Sequence, residues 1–179
     1  MEYAQLLESR RSIRHYKAGM RISEDQVRVM IDAAQQAPSW KNSETGRYYV
    51  AISEDKINYV RNQCLPEFNA KNSENAVALV VTTFEKGIAG FNPDGTETNE
   101  LGDKWGAFDL GLQVENFVLK ARETGYDSLI MGIRDADKLR EAFGIPESQE
   151  VVAVIAVGVR ESDPHKPGRK DMGEVVRFY

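Results

Sequence analysis

Between Ser9 and Ser23 the chain carries five cations, Arg10, Arg11, Arg14, Lys17 and Arg21, and no carboxylate. The whole protein has 28 acidic against 23 basic residues and a formal net charge of −5, so this segment runs against the overall balance. Guanidinium forks beside a serine hydroxyl, as in Arg10-Arg11-Ser12-Ile13-Arg14, suit the oxygens of a dianionic phosphate, each charge-assisted bond contributing about 1.5–3 kcal/mol. A second basic cluster, Lys166, Arg169 and Lys170, stands near the end of the chain. Two such clusters can close on one phosphate monoester, although on composition alone solvated surface charge is the stronger reading.

Other catalytic constellations are missing. His15 and His165 lie among basic or proline-flanked residues without HExxH spacing, and Cys64 has no second cysteine beside it, so no metal is expected. Both histidines read as surface residues and Cys64 as a buried structural thiol. There is no GxSxG elbow, no GxGxxG, and Gly106 and Gly111 are followed by Leu112-Gln113 where a Walker A loop needs Lys-Ser/Thr. No side chain is assigned a catalytic role. The negative net charge argues against nucleic acid or an anionic membrane as the main partner. No run approaches about eighteen apolar residues, and Met1-Glu2-Tyr3-Ala4-Gln5 lacks the pattern of a secretory signal, so a cytoplasmic location is expected.

These residues are carried by a chain of 179 residues, 41% hydrophobic and 28% charged, which suits a single domain spanning 1–179. Ser23-Glu24-Asp25-Gln26 has the form of a capping box, and Val27, Met30, Ile31 and Ala34 recur at helical spacing up to Ala37-Pro38. Tyr48 to Ile52 reads as a strand, with Ser53 capping a short helix after it. Ala76 to Val81 and Val151 to Val157 are continuous apolar runs that read as strands covered on both faces, and Ser128 to Ile133 is a shorter one. Glu85 to Lys104 is polar and aperiodic, a lid over a site or slack. A helix capped by Asp103 is expected from Trp105 to about Glu123. Its polar residues, Asp109, Gln113, Asn116 and Lys120, form one narrow stripe, so it is buried on most sides, as a core helix or, as preferred here, clamped between two subunits. Ala136 to Phe143 reads as a last helix, stopped at Gly144-Ile145-Pro146. Strands alternating with helices favour, by themselves, a parallel doubly wound sheet.

Four motifs then fall in register: Arg10-Arg11-Ser12-Ile13-Arg14; Ala37-Pro38-Ser39-Trp40-Lys41-Asn42-Ser43; Asp109-Leu110-Gly111 followed by Gly125-Tyr126 and Ile130-Met131-Gly132; and Arg169-Lys170. With them the chain resembles the nitroreductase family of FMN-dependent oxidoreductases over almost its whole length. The resemblance implies an α+β fold, a mixed sheet flanked by helices, in an intertwined homodimer with FMN at the interface. It places Arg10, Arg11, Ser12, Arg14, Arg169 and Lys170 at the FMN phosphate. Pro38, Ser39 and Asn42 then touch the flavin of the partner subunit, Asn69 and Lys71 the ring edge, and the main chain at Met131 and Gly132 the N5 region. Where the family often has Gln-Pro-Trp, this chain has Glu44-Thr45-Gly46, so that pocket wall is built differently.

A bound flavin accounts for the missing acid, base and nucleophile, because the cofactor carries the redox chemistry. By resemblance, NAD(P)H delivers hydride to N5 and leaves, and a nitroaromatic, quinone or similar small acceptor takes its place, which implies ping-pong kinetics. Two alternatives stand beside this: a specialised flavin reductase or dehalogenase on the same scaffold, and a non-catalytic flavin or phosphate-ligand binding module.

Overall fold

The two longest apolar runs form the middle of a sheet. The computed structural model describes residues 1–179. In chain order its helices are α1 (Tyr3–Ser9), α2 (Glu24–Gln35), α3 (Glu54–Tyr59), α4 (Glu67–Asn72), α5 (Lys104–Glu123), α6 (Ala136–Phe143) and α7 (Met172–Val175), and its strands β1 (Gly46–Ala51), β2 (Ala78–Glu85), β3 (Asp127–Met131) and β4 (Gln149–Gly158). The strand order is β1-β2-β4-β3.

All three ladders are antiparallel, which corrects the parallel doubly wound arrangement that the alternation of elements favoured; the α+β class holds. The sole parallel pairing to the sheet is the bridge from Ser12 to Ser128. Continuous apolar runs report covered faces, not strand direction. Here β2 and β4 are buried nearly throughout because helices lie on both sides. Ala78, Val80, Ile155 and Val157 pack with Met30 and Ala34 of α2 and with Leu110, Phe117 and Val118 of α5. Leu79, Val81, Val154 and Ala156 pack on the other face with Ile57, Val60, Cys64, Leu139 and the inward residues of the basic segment, Ile13 and Tyr16. A bulge, with Thr82 opposite Ala153 and Thr83 opposite Val151, leaves Val152 unpaired and turns Val151 and Val154 to the same face.

Local signals in the sequence act as expected at several points. The Ser23 hydroxyl accepts the Gln26 N–H at 3.2 Å and the Gln26 side chain accepts the Ser23 N–H at 2.9 Å, completing the capping box. Ser53 caps α3 through the Lys56 N–H. Asp103 does not cap α5 with its side chain, because its Oδ1 accepts the Gly87 N–H at 2.6 Å and so closes the base of the 86–103 excursion. That excursion is neither slack nor extended: Phe91 bridges Glu97, the Thr98 N–H bonds the Gly90 carbonyl at 2.8 Å, and Trp105 Nε1 bonds Asn99 at 2.9 Å.

The polar stripe of α5 faces its own chain. Asp109 accepts the Trp40 N–H at 2.8 Å, Gln113 accepts the Tyr48 hydroxyl at 2.9 Å and Asn116 donates to the Ala33 carbonyl at 3.2 Å, so three stripe residues tie the loop after α2, β1 and α2 to one helix. Much of the burial of α5 therefore comes from within the chain, while Ala107, Phe108, Gly111 and Glu115 face outward.

An ionic clamp joins the N-terminal arm to the sheet. Asp127, with 2% of its side chain exposed, receives Arg160 through Nε at 2.9 Å and Nη2 at 2.6 Å, and Arg122 lies 3.5 Å away. Arg160 Nη2 also reaches the Ser9 carbonyl at 3.0 Å, and Arg122 Nε the Ser9 hydroxyl at 3.2 Å. Donating to the Asp127 carboxylate raises the Arg160 pKa above its ordinary value. The ring of Tyr16 then lies so close to Gly158 that a Cβ there would stand 2.6 Å from Tyr16 Cδ1.

Candidate functional site

Alternation in the basic segment separates structure from chemistry. Ile13 and Tyr16 point into the core, the Ile13 N–H bonds the Ser128 carbonyl at 3.0 Å, and the Lys17 N–H bonds Val159 at 2.8 Å. Ser12, Arg14 and His15 are consequently turned outward, where with Ser162 and Pro164 they line a concavity of about 190 Å³. Arg10 and Arg14 take part in no ion pair. Arg14 makes one long contact, 3.4 Å to the Ser12 carbonyl, so its guanidinium is free for an anion. Arg11 is used differently: it donates to the Glu8 and Arg10 carbonyls at 2.6 and 2.7 Å, closing the end of α1.

The second basic cluster does not reach this concavity through Arg169 or Lys170. Arg169 contacts the Pro167 and Gly168 carbonyls at 3.3 and 3.4 Å, and Lys170 is exposed. Lys166 is the residue that ties the tail down, pairing with Glu8 of α1.

From Ser12 the outer edge of β3 runs on as an open track. Beyond the bridge at Ser128 the edge has no further partner strand, Ile130 and Ile133 are exposed at 47% and 64%, and Met131 turns inward. Gly132 is exposed, and a Cβ there would meet nothing within 4 Å, so the space in front of its main chain is open. At the far end the buried Asn69 of α4 donates to the Ile133 carbonyl at 2.8 Å, fixing that main chain. Lys71, two residues on, is exposed. At about 3.3 Å per residue, 128 to 133 spans about 16 Å.

Pro38, Ser39 and Asn42 lie elsewhere. Ser39 accepts the Glu44 N–H at 3.1 Å, Asn42 donates to Glu44 at 2.9 Å, and Lys41, Asn42 and Glu44 all have left-handed backbones, φ 49°, 54° and 49°. Such strain is held by surrounding structure; here the Asp109 carboxylate and a Trp40–Trp105 pair with centroids 4.7 Å apart hold it. This loop enters β1 at Gly46, opposite Phe84, whereas Ser12 adjoins Ser128, opposite Val157. The two sit at opposite ends of β2, Phe84 and Ala78, about 20 Å apart by strand rise, and beside opposite edges of the sheet. One chain does not bring them together.

Sequence reasoning missed the Asp127–Arg160 clamp and the Trp40–Trp105–Phe108 aromatic row, whose ring centroids lie 4.7 and 5.6 Å apart. A carboxylate opening an apolar strand, Asp127 before Ser128-Leu129-Ile130, was the available signal for the first. The two histidines are exposed, and Cys64 is buried, which pushes its thiol pKa up. No group of three or more His, Cys, Asp and Glu residues is placed to hold a metal ion, and no helix is long and apolar enough to cross a membrane.

A model of the nitroreductase family fits residues 7–159, a span that takes in the basic segment, the left-handed loop and the β3 edge. The chain belongs to the nitroreductase family. Among relatives of this family member, a candidate NADH dehydrogenase/NAD(P)H nitroreductase of Archaeoglobus fulgidus is 26% identical over 166 residues, covering 88% of this chain and 84% of its own. Protein DrgA of Synechocystis is 23% identical over 191 residues, covering 93% and 91%. Among solved structures, a candidate nitroreductase of Exiguobacterium sibiricum in complex with FMN superposes with a TM-score of 0.88 at 21% identity, over 100% of this chain and 98% of the other.

Proposed function

We propose that the protein is an FMN-dependent oxidoreductase that passes reducing equivalents from NAD(P)H to a small acceptor, a nitroaromatic, a quinone or a similar molecule, in two half-reactions at one pocket. The observation that carries this reading is the β3 track, with an unpaired arginine and a free serine hydroxyl at one end and an open glycine beside exposed isoleucines at the other. The track is long enough for a ribityl phosphate and a tricyclic ring, and the FMN bound by the Exiguobacterium relative supports the same ligand.

When bound, FMN supplies hydride acceptance and donation, and the chain supplies position and charge. Ser12, Arg14 and Arg10 hold the phosphate through charge-assisted bonds. Ile130 and Ile133 offer apolar surface to the ring, Met131 and Gly132 present main chain, and Asn69 keeps that main chain in place through Ile133. Lys71 puts positive charge near the ring edge, where it favours the anionic reduced form. In the structure Arg11 is engaged in closing α1 and Arg169 with its own backbone, so these and Lys170 contribute to the phosphate only through long-range charge.

Because Pro38, Ser39 and Asn42 stand at the opposite end and edge of the sheet, we assign them to the flavin of a second copy, which makes the active form an intertwined homodimer. The outer edge of β1 is unpaired, and clefts along it are lined by Val50, Ile52 and Tyr48. The exposed tail, with Val175, Phe178 and Tyr179, has the residues to pair there in a partner.

The deciding experiment is the visible spectrum of the purified protein, followed by NAD(P)H oxidation with menadione or a nitroaromatic. A yellow, dimeric protein with steady turnover is expected, and Arg14→Ala should weaken FMN binding by about ten to a hundredfold. A colourless protein that takes up no FMN in excess refutes the reading; a yellow one without turnover makes it a binding module.

A further inference from the structure

Past the Gly132 end of the β3 track a cavity of about 440 Å³ opens between the first turn of α5 and the start of β4. Three cations line it: Lys86, Lys104 and Arg134. None is in an ion pair. Lys86 follows β2 directly and its N–H bonds the Ser148 carbonyl at 2.8 Å, while Lys104 opens α5, so the backbones of both lysines are held. Arg134 donates through Nη2 to the Val151 carbonyl, and its Nε is buried with no partner. The bond to the Val151 carbonyl fixes the guanidinium at the cavity wall, so its charge is held in place there.

Of the two carboxylates in the lining, Asp103 is engaged by the Gly87 N–H and only Glu150 faces the cations uncommitted. Phe84, Ala107 and Val151 complete an apolar floor. Three cations against two carboxylates leave the lining with a net positive charge, and its cationic donors suit the terminal oxygens of a phosphate monoester. Arg134 lies two residues beyond Gly132, so the cavity adjoins the far end of the β3 track.

We propose that this cavity is a subsite for the 2′-phosphate of NADPH, so that the protein takes NADPH in preference to NADH. The proposal rests on the flavin reading above for the hydride transfer, but the anion subsite is measurable without it. Both ends of the 86–103 excursion border the cavity, so a phosphate held there also fixes the base of that excursion.

The test is the double variant Lys86→Gln/Lys104→Gln, at two exposed positions where the fold should be untouched. On flavin-loaded enzyme, KM for NADPH should rise about tenfold while KM for NADH stays within about twofold. Binding of 2′,5′-ADP, followed by the fluorescence of Trp105 beside Lys104, should weaken by a similar factor, and binding of 5′-AMP should not change. Equal KM changes for both donors, no change for either, or wild-type protein that does not separate 2′,5′-ADP from 5′-AMP overturns the proposal. Failure of the flavin reading shows itself separately, as a colourless protein, in which the 2′,5′-ADP titration still decides the subsite.

Discussion

Asp127→Asn should unfasten the arm that carries the phosphate-binding residues. Asp127 is the one carboxylate in a clamp with Arg160 and Arg122, and 2% of its side chain is exposed against 11% and 23% for the arginines. Removing one partner of a buried ion pair costs about 3–5 kcal/mol, chiefly because the remaining charge is stranded. Here the arginines are partly wet, Arg160 keeps the Ser9 carbonyl, and asparagine retains one acceptor oxygen, so the low end, about 3 kcal/mol, is expected. In a domain of this size that lowers Tm by about 6–12 °C. Urea and thermal denaturation measure it, with Asp163→Asn as the control, since Asp163 pairs with the same arginine but its side chain is 79% exposed. Exposed pairs contribute little, so the control should stay near wild type. FMN affinity should fall with Asp127→Asn as well, because the clamp fixes Ser9 immediately before Arg10. If the two variants lose the same stability, burial is not what gives the clamp its strength.

Gly158→Ala places a methyl group 2.6 Å from the Tyr16 ring, in a packed face of the sheet, and should cost about 1–3 kcal/mol, read as a lower urea midpoint; an unchanged midpoint would show that the ring can move aside. Asp109 is buried, and desolvation raises its carboxyl above the ordinary aspartate range despite the Trp40 N–H. A raised folded pKa means that the folded chain binds this proton more tightly than the unfolded chain, so the penalty of the charge is full at neutral pH and relieved as pH falls through the raised value toward about 4. Asp109→Asn should therefore be at least as stable as wild type at pH 7 and lose ground to it on acidification, and a pH-independent difference between the two would contradict this.

Much of the site was legible because it is local. Arg10 to Arg14 stands out as a cluster of one sign, and Ser23 and Ser53 cap their helices through hydrogen bonds that reach only three residues ahead. The apolar runs at 76–81 and 151–157 correctly reported strands covered on both faces, although the first strand begins only at Ala78. Their direction was not legible, since burial constrains side chains and leaves the sense of the backbone open; the pairing of β2 with β1 and β4 decides it. The stripe on α5 shows the same division. Spacing located Asp109, Gln113 and Asn116 on one face, but their partners, Trp40, Tyr48 and Ala33, lie 65 to 83 residues away in sequence.

The sequence by itself thus determined the residue types, the helix caps, the buried runs and the family to which the chain belongs, all of which depend on composition and short-range order. Only the tertiary structure decided which charges are free. Arg10 and Arg14 face outward unpaired while Arg11 closes α1, Lys166 rather than Arg169 fastens the tail, and Lys86, Lys104 and Arg134 meet around one cavity from three separate segments. The physical reason is that a charge is available to a ligand only so far as the fold leaves it without a carboxylate and with donors not already taken by carbonyls, and the chain segments that supply those partners are brought close only by packing on the two faces of the sheet.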